Sequence, residues 1–173
     1  TVLGEEISME DLGGARVHSE ISGNAHFYAS SEIECFDQIK KLISLIPHNN
    51  DVKAKKLEPK PPCHDCQIGD IVPDDPAQPY DVRDVVKAVV DSSDFFEIHE
   101  HWAKNIVIGF GRMNGITCGF VCNQPLVLAG VLDVDSSDKA ARFIRYCDAF
   151  NIPIITFVDL PGYLPGTDQE HAG

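Results

Sequence analysis

The stretch that most constrains the fold is Pro153 to Gly173, PIITFVDLPGYLPGTDQEHAG. Ile154, Ile155, Phe157 and Val158 make a short apolar run, the pattern of a strand buried on both faces. The run is broken by Pro161-Gly162 and again by Pro165-Gly166. Proline lacks a backbone donor and glycine tolerates positive φ, so neither break fits inside a helix or a sheet. Just upstream, Ser136 to Asn151 reads as a helix. A helix, a buried strand and a glycine-rich loop at the strand's carboxyl end form the α/β arrangement that presents loop amides to a ligand. An ordinary connection with no ligand is the competing reading of this loop taken alone.

The rest of the chain supports an α/β reading. Ser8 is placed as the N-cap of a short helix that Gly13-Gly14 interrupts, Ser22-Gly23-Asn24 as a turn, and Ala25 to Ala29 as a short strand. Ser31 and Glu34 have the spacing of a capping box. Behind them Ile33, Phe36, Ile39, Leu42, Ile43 and Ile46 recur at helical spacing, predicting an amphipathic helix that Pro47 stops. Residues 47–79 hold seven of the eleven prolines and the charged run from Lys53 to Lys56, and read as a linker or crossing segment. Asp81 caps a helix carrying Val82, Val85, Val86 and Val89; Asp91 to Asp94 breaks it, and a strand follows from Phe95. Ile106–Met113 and Ile116–Cys122 flank Asn114-Gly115, the signature of a tight hairpin.

Composition narrows function. A hydrophobic fraction of 43% is that of a folded globular chain, and no apolar run is long enough to span a bilayer. Net charge of −13 argues against phosphate-held nucleic acid, yet leaves room for an anionic ligand held by local amides and cations. Cys35, Cys118, Cys122 and Cys147 sit in apolar or helical patterns, so the cysteines are read as free thiols of a reducing compartment. Cys63-His64-Asp65-Cys66 is a C-x2-C pair without a second ligand pair at structural-zinc spacing, so no metal is assigned. His99 and His101 are read as exposed polar residues, and His18 and His26 as hydrogen-bonded structural residues. Asp159 and Glu170 have positions compatible with touching substrate, but nothing in their spacing requires it. The chain opens at Thr1 without an initiator Met, so the absence of a visible targeting segment carries no weight.

Several of these stretches carry a resemblance. VDLPGYLPGTDQEHAG, preceded by FIRYCDAFNIPIITF and GRMNGITCGFVCNQP, together with GEEISMEDLGGARVHSEISGNAHF near the start, resembles the carboxyltransferase (beta) subunit of biotin-dependent acyl-CoA carboxylases. Near relatives in that family are the propionyl-CoA carboxylase beta chain, methylmalonyl-CoA carboxyltransferase and methylmalonyl-CoA decarboxylase alpha. The similarity covers nearly the whole chain and falters around residues 51–70. It implies a crotonase-like α/β fold, a ββα spiral, with the chain a fragment spanning parts of two related halves. Residues 1–46 would close the acyl-CoA half, 47–79 form the linker, and 80–173 open the biotin half.

The chemistry so implied is carboxyl transfer between carboxybiotin and the α-carbon of a short acyl-CoA, propionyl- or methylmalonyl-CoA being favoured. Biotin's ureido anion takes the α-proton, and backbone amides stabilise the two oxyanions, so no side-chain nucleophile is needed. By the resemblance, the backbone of Gly162, Tyr163 and Gly166 forms part of the biotin-side wall, with Leu164 and Pro165 beside biotin. Gly13 and Gly14 lie near the CoA half, although helix termination is their plainer role. The family's thioester-oxyanion loops and its Ala-Tyr-Gly-Gly loop would fall outside residues 1–173, so the segment by itself is expected to be inactive. The implied partners are a biotin carboxyl carrier protein or biotin carboxylase subunit and an acyl-CoA, in a homo-hexamer of the cytoplasm, or of the mitochondrial matrix in a eukaryote. Two alternatives stand: the alpha subunit of a sodium-pumping decarboxylase, and a non-catalytic fragment.

Overall fold

The computed structural model describes residues 4–62 and 68–172. The Cys63-His64-Asp65-Cys66 motif lies outside the described residues. Among the described residues, seven α-helices and four strands follow in the order α1 (Met9–Gly13), α2 (Ala15–Glu20), α3 (Glu32–Leu45), α4 (Ile68–Ile71), α5 (Val82–Val89), β1 (Phe95–Ile98), β2 (Ile106–Met113), β3 (Ile116–Asn123), α6 (Val134–Ala149), β4 (Ile154–Phe157) and α7 (Thr167–Ala172).

The sheet runs β1-β2-β3-β4, with β1, β2 and β3 antiparallel and β4 parallel to β3. The hairpin forms as its Asn-Gly turn demands: Asn114 and Gly115 have φ of 53° and 78°, and the Asp91 carboxylate accepts from both of their amides at 3.0 and 2.7 Å. Strands β2 and β3 read as unbroken apolar runs because both faces of the hairpin are covered. Ile106, Ile108, Phe110 and Val121 face a core completed by Phe143 and Cys147 of α6 and Leu45 of α3. Val107, Cys118, Phe120 and Cys122 face Val82 and Val86 of α5, and Val90 just beyond it. Each large side chain so buried contributes about 1.5–3 kcal/mol, so these two layers carry most of the apolar driving force.

Helix α6 starts two residues before the expected Ser136. Its N-cap is Asp133, whose carboxylate accepts from the Ser136 amide at 2.9 Å while the Ser136 hydroxyl accepts from the Asp133 amide at 2.9 Å. The Ser31–Glu34 box is only half made. Ser31 Oγ accepts from the Glu34 amide, but the Glu34 carboxylate reaches one residue further back, to Ser30 N and Oγ at 2.8 and 2.6 Å. Those bonds from Ser30 hold the Glu34 carboxyl below its ordinary pKa.

Helix α3 forms the expected amphipathic helix, with Leu42 and Ile46 packed on the core and Ile33, Phe36, Ile39 and Ile43 exposed, Ile33 at 75%. Three further expectations need correction. Ala25–Ala29 is not a strand; among the described residues the His99 amide donates to His26 O at 3.0 Å. Strand β4 is not covered on both faces; it is the edge strand of the described sheet, and Val158 beyond it is 70% exposed. His99 is buried rather than a surface residue, because its positive φ of 54° ends β1 and turns the ring inward against His26 and Trp102.

The described part of the proline-rich segment carries α4 and is pinned to the rest of the chain. Leu57 N donates to Gly115 O at 3.0 Å, and Ser92 N donates to Pro61 O at 3.0 Å. Across it, α3 shares a core with α6 and β2, and Lys41 pairs with Asp94. Residues before and after the segment therefore pack into one apolar layer.

Candidate functional site

The site is built where the parallel pair β3 and β4 ends. Asn123, the last residue of β3, is buried and bridges both chain exits. Its Nδ2 donates to Gly130 O at 3.1 Å, and its Oδ1 accepts from the Asp159 amide at 3.3 Å. Between Asn123 and α6 the chain makes a left-handed turn, with φ of 51°, 52° and 76° at Leu128, Ala129 and Gly130. A side chain at Gly130 would overlap the Asp159 carbonyl, so this turn sits directly on the root of the loop after β4.

That loop, Asp159 to Gly166, docks on Leu132 through two backbone bonds. Leu132 N donates to Gly162 O at 3.2 Å, and Leu164 N donates to Leu132 O at 2.8 Å. Gly162 and Gly166 adopt φ of 153° and 141°, which glycine alone accepts readily. With the loop held by Leu164, the amides of Gly162, Tyr163 and Gly166 donate to no other group among the described residues. Tyr163 projects outward, 74% exposed. Helix α7 closes the far end, where Gln169 Oε1 accepts from Val134 N at 3.0 Å, tying the loop to the start of α6. Gly162, Tyr163, Leu164, Pro165 and Gly166 thus form one backbone feature, and the amides of Gly162, Tyr163 and Gly166 have no acceptor among the described residues. Glu170 lies in α7 and is exposed, with no side-chain partner among the described residues.

Three supporting residues escaped sequence reasoning. Asn123, Tyr80 and Gln169 act through side-chain hydrogen bonds to residues outside their own elements, which no local pattern announces. The Asp159 carboxylate accepts from the Tyr80 hydroxyl at 2.9 Å. Burial and that carboxylate push the Tyr80 hydroxyl up to about 12, so it remains a donor.

Gly13 and Gly14 perform the plainer of their two expected roles. Gly14 ends α1 and starts α2 at φ −70°, and a side chain there would overlap Glu10. A polar cleft of about 440 Å³ lies elsewhere, between the segment at His26 and the β1 end, lined by Arg83, Glu97, His99 and His101. Its charges are spent on one another. Arg83 Nε donates to both Asp81 oxygens at 2.9 and 3.0 Å, its Nη1 lies 3.6 Å from Glu97 Oε2, and Gln124 donates to Asp81 at 2.7 Å. Burial opposes ionisation of Asp81, but the bonds from Arg83 and Gln124 keep its carboxyl below the ordinary range. His99 Nε2 lies 3.0 Å from Gly23 O, and burial beside His26 and Lys139 draws its pKa down to about 4, so the ring stays neutral. The buried Lys139 ammonium is held by four carbonyls, those of His99, Trp102, Ala103 and Ile106, at 2.8–3.2 Å. This cluster secures the β1–β2 connection and offers no nucleophile.

The carboxyl transferase domain family matches residues 1–173. The chain belongs to that family. It is 51% identical over its whole length to the propionyl-CoA carboxylase carboxyltransferase subunit of Haloferax mediterranei, of which it covers 34%. To the alpha subunit of methylmalonyl-CoA decarboxylase from Veillonella parvula it is 46% identical, again over the whole chain and 34% of the relative. Among solved structures, the transcarboxylase 12S hexamer with methylmalonyl-coenzyme A and methylmalonic acid bound superposes with a TM-score of 0.94. That match is at 44% identity over 99% of this chain and 34% of that one. The crotonase-like α/β fold implied by the resemblance is therefore the fold of this chain. The chain spans about a third of the length of these carboxyltransferase relatives.

Proposed function

We propose that this chain is the part of a biotin-dependent carboxyltransferase subunit that presents the biotin-side loop. Its reaction is carboxyl transfer between carboxybiotin and the α-carbon of a short acyl-CoA. The observation that carries the reading is the Gly162–Gly166 loop at the carboxyl end of a parallel strand pair, whose amides at Gly162, Tyr163 and Gly166 have no acceptor among the described residues. Biotin, when bound, would supply the carboxyl group for transfer, and the fixed amides of Gly162, Tyr163 and Gly166 would lower the cost of negative charge on its ureido oxygen without reorganising. A propionyl or methylmalonyl unit is favoured by the names of the relatives and by the ligand of the transcarboxylase structure.

In this reading residues 1–46 close the acyl-CoA half, 47–79 cross between halves, and 80–173 begin the biotin half. The whole subunit works as a homo-hexamer with a biotin carrier or biotin carboxylase partner, in the cytoplasm or a mitochondrial matrix. Among the described residues no helix is long and apolar enough to cross a membrane. The Veillonella relative favours a second reading, in which the same half-reaction runs toward carboxybiotin in a decarboxylase.

The test uses the natural polypeptide that carries this segment. Methylmalonyl-CoA labelled in its free carboxyl is mixed with free biotin, and label is followed into carboxybiotin. Transfer that collapses in Gly162→Val, while an unrelated surface variant retains it, is the expected result. A purified subunit that binds acyl-CoA yet moves no label to biotin refutes the reading. Strict dependence on a membrane partner and sodium selects the decarboxylase.

A further inference from the structure

Tyr80 stands at the end of the proline-rich segment, immediately before the Asp81 cap of α5, and 79 residues from Asp159 in sequence. Its hydroxyl donates to Asp159 Oδ2 at 2.9 Å. From Asp159 the connection continues without a gap. The Asp159 amide is held by Asn123 Oδ1 at 3.3 Å, the same Asn123 holds Gly130 O at 3.1 Å, and Gly130 is pressed against the Asp159 carbonyl. Three residues on, Gly162 O is fixed to Leu132 N. Tyr80, Asp159 and Ala129 also line one cavity of about 450 Å³, whose opposite wall is the crossing segment from Val72 to Pro79 with Pro125 beside it.

We infer that Tyr80 is a positioning residue for the Gly162–Gly166 loop: it fastens the crossing segment to the loop's root, so that the segment sets where the loop amides point. The inference rests on the proposed biotin-side role of that loop. The three positive-φ residues from Leu128 to Gly130 hold a sparsely populated backbone conformation, maintained here by the Asn123 and Asp159 contacts. Without the Tyr80 anchor the Asp159 side chain loses its partner from the crossing segment. The loop amides must lie within a few tenths of an ångström of a developing oxyanion to be effective, so a loosened root weakens the biotin side selectively.

The experiment compares Tyr80→Phe, which keeps the ring and deletes the hydroxyl, with Asp159→Asn, which keeps an acceptor for that hydroxyl, in the intact subunit. Two readouts are taken: hydrogen exchange over residues 158–166, and steady-state constants for free biotin and acyl-CoA. Faster exchange at the Leu164 amide is expected in Tyr80→Phe. With it should come a rise of about three- to tenfold in KM for biotin, while KM for acyl-CoA stays within about twofold. Asp159→Asn, which keeps an acceptor for the hydroxyl, should accelerate exchange at the Leu164 amide less than Tyr80→Phe does. Unchanged exchange over the loop in Tyr80→Phe overturns the positioning role whatever the activity. Equal losses for biotin and acyl-CoA overturn it too, as general destabilisation. Accelerated exchange in a protein whose wild type transfers nothing to biotin upholds the coupling of Tyr80 to the loop and sinks the functional reading instead.

Discussion

Replacing Lys139 by methionine tests the energetics of the β1–β2 connection most directly. The side chain is 0% exposed, and methionine keeps an unbranched stem of similar length while removing the cation. Four carbonyls lose a donor, but not equally. His99 O also accepts from Trp102 N, and Ala103 O from Ile106 N, both at 3.2 Å. The penalty therefore falls mainly on the carbonyls of Trp102 and Ile106. An unsatisfied buried acceptor costs about 1–3 kcal/mol, so two cost about 2–6 kcal/mol. Against this, the variant no longer buries an ammonium, whose desolvation is reflected in a Lys139 pKa drawn down to about 8, with Glu97 opposing that fall. The expected net loss is about 2–4 kcal/mol, a large share of a typical domain stability of about 5–15 kcal/mol. Urea unfolding at pH 7, followed by circular dichroism and by the fluorescence of Trp102, should show a lower midpoint at an unchanged slope. A loss below about 1 kcal/mol, or a gain, would refute the argument that the ammonium is held because the carbonyls need it.

Acid should destabilise the fold through His99. Folding lowers its pKa from 6.5 to about 4, so between those values the unfolded chain binds the proton that the folded chain refuses. Stability should be complete above pH 6.5 and fall by about 3 kcal/mol on descent to pH 4; a His99→Gln variant whose acid slope matches wild type would contradict this. Gly115→Ala should free the crossing segment, because a side chain there overlaps the Leu57 carbonyl at a φ of 78°. Trypsin cleavage after Lys55 and Lys56 should then accelerate, and a wild-type cleavage rate would count against the pinned segment. Asp133→Ala removes the N-cap of α6 and a bond from Asn105 at 3.2 Å, and should cost about 1–2 kcal/mol, read as a lower thermal midpoint.

Features set by short-range chemistry were legible in the sequence. The Asn114-Gly115 hairpin, the Asp81 cap, the break at Asp91 and the glycine pairs at 13–14 and 162–166 depend on residues within a few positions of one another, and the structure forms each as its local pattern dictates. The resemblance carried by the two ends of the chain likewise pointed to the right family. Amphipathic spacing gave the extent of α3 but not what covers it. Periodicity marks a stripe as apolar, and only the neighbours in space decide whether Ile33 meets a core or solvent. The same limit applies to β4, whose apolar run is real but whose outer side carries no further strand among the described residues.

Of the candidate site, the sequence by itself determined the loop. Paired Pro-Gly breaks after an apolar strand force a backbone that cannot join helix or ladder, and so leave amides over. Tertiary structure alone decided which amides those are and what holds them. Leu132 takes up Leu164, Asn123 bridges Gly130 and Asp159, and Tyr80 reaches across 79 residues to the same aspartate. Hydrogen bonds between residues distant in sequence leave no periodic or compositional trace, because each asks only for one polar group at one point in space. Burial has the same character: Lys139 reads as an ordinary charged helix residue until the turn from His99 to Ile106 folds its carbonyls around the ammonium.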